Sequence, residues 1–339
     1  MKKFGKILCL CVVLFLLASP LFSQVIPLLS TLDGHVNKFS EEVAKSLPFN
    51  STMGLNWSHA YIGQLLGFPP KFGIGATIGF TFLNAGSMDG LMNLFDVPDF
   101  LANLPIGLPL PGYVAEARVG GIVLPFDIGF KIGYLAVDKI PLLDNILDLG
   151  IGLDYLLIGA DLRYSLLPKL LPVKLSVGVG VNRLVGGISK TLSSSQSFGF
   201  EDYQIDMDMS KLALQWKTTC VELKVQVSAN LLIITPYAGV GASYSWSEAG
   251  YRVNADVSMT GPGGSVDNSE FVNVLRAQGF NNMTATEDGM ESIIENNAFN
   301  IRAYGGLSLN LTVFKFDLTV MYNITTNSLG GTFGIRFQL

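Results

Sequence analysis

From Phe72 to Phe82 the chain alternates. Phe72, Ile74, Ala76, Ile78, Phe80 and Phe82 share one phase, and Gly73, Gly75, Thr77, Gly79 and Thr81 share the other. The same period recurs further on. Phe126, Ile128, Phe130, Ile132 and Tyr134 alternate with Asp127, Gly129, Lys131 and Gly133, and Val173, Leu175, Val177, Val179 and Val181 with Lys174, Ser176, Gly178, Gly180 and Asn182. Successive side chains on a strand point to opposite faces, so a period of two predicts strands. Runs of about ten residues also have the length of a strand that crosses a bilayer. The pattern predicts strands near 71–83, 113–123, 125–137, 152–165, 172–190, 209–228, 233–246, 298–311, 313–324 and 330–339.

The connections between these strands alternate in length. Those near 123–125, 166–171, 229–232 and 311–313 are short, and those at 84–112, 138–151, 191–208, 247–297 and 325–329 are longer. Bacterial membrane barrels have short periplasmic turns, longer outer loops and an even number of strands. An antiparallel up-and-down barrel of about 10 strands satisfies all three conditions. The segments 51–61 and 250–260 also alternate, so the expected count extends to 10–14.

The charges decide which face is which. Glu116, Arg118, Asp127, Lys131, Asp161, Arg163, Lys174, Glu222, Lys224, Arg302, Lys315, Asp317 and Arg336 all take the phase opposite the large apolar residues. Between them stand mostly Gly, Ser, Thr and Asn, not the Lys, Glu and Thr of a solvated face. This suits a narrow polar lumen in which small residues make room and opposite charges pair, so the thirteen are lumen-lining candidates.

The first seventy residues follow other rules. Lys2, Lys3 and Lys6, then the apolar run Ile7 to Leu17, then Ala18, Ser19 and Ser23 read as a secretory leader spanning 1–23. Cys9 and Cys11 stand at the start of the apolar run, where a lipid-anchoring cysteine does not stand. From Pro27 to Pro48, Leu29, Leu32, Val36, Phe39, Val43 and Leu47 recur at steps of three and four, which predicts an amphipathic helix. The expected organisation is a leader (1–23), a helix with a plug or lead-in segment (24–70) and a barrel (71–339). Helices are also expected over 88–104, 268–278 and 288–296.

Composition narrows the class further. Charged residues make up 14% of the chain against about 25% in soluble proteins, yet 49% of residues are hydrophobic. Beyond the leader no uninterrupted apolar run is long enough for a membrane helix, so strands must carry the apolar surface. The net charge of −5, without a basic run, argues against nucleic-acid binding. Cys220 is the only cysteine after the leader, which excludes an intrachain disulfide.

Candidate chemistry is sparse. The only histidines are His35 and His59. The run Asn56-Trp57-Ser58-His59 holds a serine beside a histidine, but neighbours on a strand face opposite ways. No nucleophile-elbow motif is present. Asp202, Asp206 and Asp208 lie close together without calcium-loop spacing, and Gly178-Val179-Gly180 has no phosphate-binding lysine. No catalytic, cofactor or metal site is expected, and the chain reads as a non-enzyme. Trp57, Tyr61, Tyr113, Tyr134, Tyr164, Tyr244, Trp246 and Tyr322 fall near strand ends as candidates for aromatic girdles.

The last nine residues, from Gly331, place Phe333, Ile335, Phe337 and Leu339 on one face. With this terminal strand, the alternation and the N-terminal helix, the chain resembles bacterial outer-membrane β-barrel proteins. More loosely it is similar to the long-chain fatty-acid transporters, which have more strands and a longer chain. The resemblance implies the bacterial outer membrane as location, its lipid as surroundings, and its assembly machinery as a partner that recognises the terminal strand. No binding residue carries over. The expected function is a narrow channel or diffusion path for small, including hydrophobic, solutes, gated by the N-terminal helix. The rival is a structural or surface-interaction barrel whose outer loops bind partners.

Overall fold

The computed structural model describes residues 38, 40–66, 70–83, 107–122, 124–136, 151–167, 171–200, 203–261, 264–266, 269, 273, 276, 283–286 and 288–339. The leader and the helix expected over 88–104 lie outside these residues, as does most of the one expected over 268–278.

In chain order the strands are β1 (Phe72–Leu83), β2 (Leu108–Gly120), β3 (Phe126–Ala136), β4 (Ile151–Ser165), β5 (Val173–Phe200), β6 (Tyr203–Ala229), β7 (Ile234–Gly261), β8 (Gly264–Val266), β9 (Met283–Thr286), β10 (Gly289–Leu311), β11 (Phe314–Asn323) and β12 (Ser328–Gln338). Ten of them close a ring. Each of β1 to β7 pairs with the next, β7 pairs with β10, and β10, β11 and β12 follow in order. β12 then pairs back onto β1, from Gly73↔Gln338 to Thr81↔Gly330. β8 and β9 only lengthen β7 and β10 at their tips. Every pairing is antiparallel, and closure removes the free edges that lipid cannot satisfy.

Burial is inverted relative to a water-soluble fold. Phe130 is 55% exposed and Leu318 59%, while Arg118 is 2% exposed and Asp127 fully buried. No water-soluble chain gains by this arrangement, because apolar area in water is costly and buried charge costs more. It is favourable when the outside is hydrocarbon and the charges find partners within. On β7 the outward apolar positions run from Ile234 to Trp246. Twelve residues at about 3.3 Å each, tilted by about 40°, span about 30 Å, the thickness of a hydrocarbon core. Among the described residues no helix is long and apolar enough to cross a membrane. The protein is an integral outer-membrane β-barrel. Its short turns mark the periplasmic end.

The structure corrects four expectations. First, 191–208 and much of 247–297 are strand. β5 and β6 stay paired out to Phe200↔Tyr203, and β7 and β10 out to Asn254↔Gly289. The alternation over 250–260 therefore belongs to an extension of β7, and that of Tyr203, Ile205, Met207 and Met209 with Gln204, Asp206 and Asp208 to β6; both are held by the main-chain ladder and neither is a further spanning strand. Second, 288–296, expected as helix, belongs to β10. Its backbone groups pair with β7 along an unbroken register, and that outweighs a local helical spacing. Third, Trp57 and Tyr61 are buried inside the barrel and form no girdle. Tyr134, Tyr244, Trp246 and Tyr322 do point outward at the outer rim, Tyr164 does so at the periplasmic rim, and Tyr113 is half-buried. Phe314 and Phe72 also flank Phe337 at the periplasmic end, at 6.0 and 6.5 Å between ring centres. Fourth, the described part of the N-terminal helix, α1 (residues 40–51), runs on past Pro48. Its last carbonyls are taken up by Thr52 and Met53 amides at 3.1 Å and by the Ser51 and Thr52 hydroxyls at 2.7 Å.

Candidate functional site

The interior of the ring is occupied. α1 packs Val43, Ala44 and Leu47 against Val114, Tyr155, Leu157, Leu184 and Ala249 of the wall. Ala249 lies beyond the outer girdle, so α1 starts near the outer mouth. Phe49 and Met53 then pack with Tyr237, Tyr304 and Met321. From there the chain descends without regular structure. The Leu65 amide reaches the Gly121 carbonyl beside a periplasmic turn, at 2.9 Å. Residues 40–66 therefore thread the lumen from its outer to its periplasmic end.

A backbone without helix or ladder still needs partners for its polar groups. Here the wall's side chains supply them. Lys131 donates to the carbonyls of Ser51, at 2.7 Å, and Met53, which places an ammonium on the negative end of α1. Glu116 accepts from the Leu55 amide at 2.9 Å and from the Trp57 indole. Gln226 donates to the Trp57 carbonyl at 2.7 Å, Ser228 accepts from the Ala60 amide at 3.0 Å, and Asp127 accepts from the Ile62 amide at 3.1 Å. Trp57 itself lies between two guanidiniums, Arg336 at 4.7 Å and Arg118 at 5.6 Å from its ring centre. Gly54 and Leu55 take positive φ, and a Cβ on Gly54 would stand 2.6 Å from Val114 Cγ2, so the turn needs glycine twice over.

The thirteen charged positions group as follows. Arg118 bridges Asp127 and Asp161, Arg163 holds Asp127 at 2.9 Å, and Lys224 holds Asp161 at 2.7 Å, making one five-membered cluster across β2 to β6. Arg302 pairs with Glu222 over Gly241 of the intervening β7 and also donates to Asn56 at 3.0 Å. Arg336 pairs with Asp317 at 3.0 Å. Lys315 donates to Asn310 at 3.1 Å, and Lys174 lies 5.6 Å from the Tyr61 ring centre, apart from the central cluster. Desolvation makes each buried charge costly unless it is paired, and the pairing explains why charges of both signs share this face. Glu116 and Lys131 spend their charge on the threading segment.

Ser58 and His59 are not on a strand, so the expectation that they face apart fails: Ser58 Oγ lies 3.3 Å from His59 Nδ1. Arg336 nonetheless donates to Ser58 Oγ at 2.6 Å and stands 3.2 Å from His59, and Ser58 is fully buried. Burial and the neighbouring Arg336, Lys315, Lys174 and Arg163 hold the His59 imidazole well below its ordinary pKa, so it is neutral. A guanidinium on the hydroxyl and a closed surface leave no room for substrate at this serine. The side chains of Asp202, Asp206 and Asp208 lie outside the described residues, and no cluster of metal-ligating side chains occurs among the described ones.

Gln226, Ser228 and Gly54 escaped the sequence reading, which gave Asn56 and Trp57 other roles. Their roles depend on the segment entering the barrel, and the alternation over 51–61 pointed instead to a strand.

Among solved structures the barrel is similar to a major outer membrane protein of Thermus thermophilus, with 12% identity over 79% of this chain and 98% of that one and a TM-score of 0.31. It is also similar to the outer membrane protease OmpT of Escherichia coli, at 8% identity, 79% and 95% coverage and a TM-score of 0.35. Ail, the attachment invasion locus protein of Yersinia pestis, gives 7% identity, 79% and 97% coverage and a TM-score of 0.28. Likenesses this distant say nothing of activity. No curated protein matches the chain. Residues 152–339, more than half of the sequence and most of the wall from β4 onward, match one family, and the chain belongs to it: the family of unknown function DUF6588.

Proposed function

We propose that the barrel is a narrow, non-enzymatic channel or diffusion path for small, including hydrophobic, solutes, and that residues 40–66 gate it. The observation that carries this reading is the way the threading segment is held. The wall is continuous without it, and the segment is fastened to the wall by side-chain hydrogen bonds to its backbone and by the packing of Val43, Leu47, Phe49 and Met53. Each such bond contributes about 0.5–1.5 kcal/mol net, since water replaces the partner when it breaks. A segment attached in this way leaves by exchanging protein partners for water, whereas a wall strand cannot leave without opening the sheet. The thirteen charged residues then line the path: with the segment seated they hold it, and with it displaced they give a wet, polar bore. In planar bilayers the intact protein conducts little. Deleting residues 28–66 raises conductance while the protein keeps its heat-modifiable fold. A folded but closed deletion variant overturns the channel reading.

A second reading has an observation of its own. β7 continues fifteen residues beyond Trp246, to Gly261. At about 2.5 Å of height per tilted residue this ribbon stands about 35–40 Å above the outer girdle. A channel does not need such a projection, but a surface that meets partners does. Recognition of the terminal strand by the assembly machinery is part of the same proposal and supposes that β12 is read before it pairs with β1.

A further inference from the structure

The thirteen charged residues of the wall do not balance. Eight are lysine or arginine and five are aspartate or glutamate, a formal excess of three positive charges in a chain whose net charge is −5. The excess is not spread along the bore. Glu116, Lys131, Asp161, Glu222, Lys224 and Arg302 lie four or more residues from the periplasmic ends of their strands and cancel, three against three. The other seven lie within three residues of those ends.

Alternation explains how those seven come to share one level. An inward position recurs at every second residue, so each strand that meets a periplasmic turn offers the lumen a side chain in its last two or three residues. β2, β4, β5, β11 and β12 fill that position with a cation: Arg118, Arg163, Lys174, Lys315 and Arg336. β3 fills it with Asp127, and β11 adds Asp317 one step further in.

The threading segment does not offset the excess. Residues 46–66 contain no carboxylate. Glu41 and Glu42 stand on α1 near the outer mouth, beside Lys45 at 2.8 and 3.1 Å. The two carboxylates at the periplasmic level are already engaged. Asp127 accepts from Arg118, Arg163 and the Ile62 amide, and Asp317 pairs with Arg336. Arg163 and Arg336 are buried, and each keeps one guanidinium nitrogen, Nη1, that meets no acceptor among the described residues. These two guanidiniums stand with Lys174 and Lys315 around His59.

A buried donor without an acceptor is costly, and an oxygen anion from solution removes that cost. Guanidinium N–H groups match the paired oxygens of phosphate and carboxylate. Three unit charges about 8 Å from the axis, screened over a Debye length of about 8 Å, hold this mouth about one kT positive. Chloride is then enriched over potassium about sevenfold.

We propose that the periplasmic end of the lumen is an anion-selecting ring, and that the solutes the barrel passes are small anions carrying phosphate or carboxylate groups. This rests on the channel reading and names its substrate class. Such a ring acts on every ion that crosses, and a narrow bore leaves little water to screen it.

The test measures reversal potentials of the full chain, inserted in many copies in a planar bilayer across a KCl gradient near physiological ionic strength. Chloride should be about sevenfold more permeant than potassium, and the preference should shrink toward one at high salt, where screening shortens to about 3 Å. Lys174→Glu with Lys315→Glu turns the three positive charges into one negative charge and should give potassium a preference of about twofold. Lys174→Gln with Lys315→Gln leaves one positive charge and should give chloride a preference of about twofold. The second pair serves if the first does not fold, as heat modifiability shows. A wild-type ratio at or below one, or a ratio that the substitutions do not move, overturns the anion reading and leaves the channel. If the full chain and the deletion variant are both closed, the channel falls, and the chloride-35 NMR line width of the folded protein in detergent decides the anion site separately. Broadening that the substitutions reduce upholds the site, and broadening that they leave unchanged overturns it.

Discussion

Trp57→Ala is the sharpest probe of the threading segment. The indole is 3% exposed, donates to Glu116 and lies between Arg118 and Arg336. Truncating a buried tryptophan costs about 3–5 kcal/mol, and a hydrogen bond to a charged group is worth about 1.5–3 kcal/mol. These overlap, and water fills a polar lumen more readily than a dry core, so the net weakening of the seat is about 4 kcal/mol. At about 1.4 kcal/mol per decade, the unseated population rises about 10³-fold. Cys220 reports it. Its thiol is buried in the lumen beside Ser51 of α1 and Ser243 of β7, so it reacts only after the segment moves. The assay is the rate of maleimide addition to Cys220 in folded protein in detergent, located by mass spectrometry. Wild type should label slowly and Trp57→Ala faster by two to three decades, about as the population shift dictates. If both label at the same rate while both stay heat-modifiable, Trp57 does not hold the segment and the gate argument fails at its anchor.

Four further outcomes follow from the same geometry. Phe130→Arg should lose the heat-modifiable form, since arginine at the lipid-facing midplane costs about 2–4 kcal/mol. Gly331→Ala, whose added carbon would stand 3.6 Å from the Thr319 carbonyl, should not. Gly129→Ser should also be costly, because its Cβ would come within 2.6 Å of the Arg118 guanidinium; wild-type thermal stability in this variant would show that the ion cluster yields easily. His59 is neutral in the fold but binds a proton in the unfolded chain near pH 6.5, so stability should fall as pH drops below about 6.5. His59→Gln should flatten that dependence in heat-modifiability midpoints, and an unchanged slope would remove His59 as its source. In a Cys220→Ser background, Glu41→Cys should label from outside intact cells and Leu66→Cys should not; the reverse pattern inverts the direction of threading.

Period, phase and turn length already contain the wall. Alternation needs only the strand's own geometry, so β1, β3 and β11 were legible with their lipid face, and the charges of β2 to β6 showed which face is interior. The alternation of short and long connections gave ten strands because each hairpin is a local event. Legibility stopped where the partner lies far away in sequence. The outer reaches of β5, β6, β7 and β10 are main-chain ladders that continue spanning strands, and although 250–260 alternates, its period does not say that it prolongs β7 and is not a strand of its own. Residues 51–61 alternate like a strand, yet they meet Glu116, Lys131, Gln226 and Ser228 inside the barrel, and an interior surface exists only once the ring has closed. The same holds for the charges. The sequence put Arg118, Asp127, Asp161, Arg163 and Lys224 in one phase, but their pairing across separate strands follows from the stagger of the closed barrel.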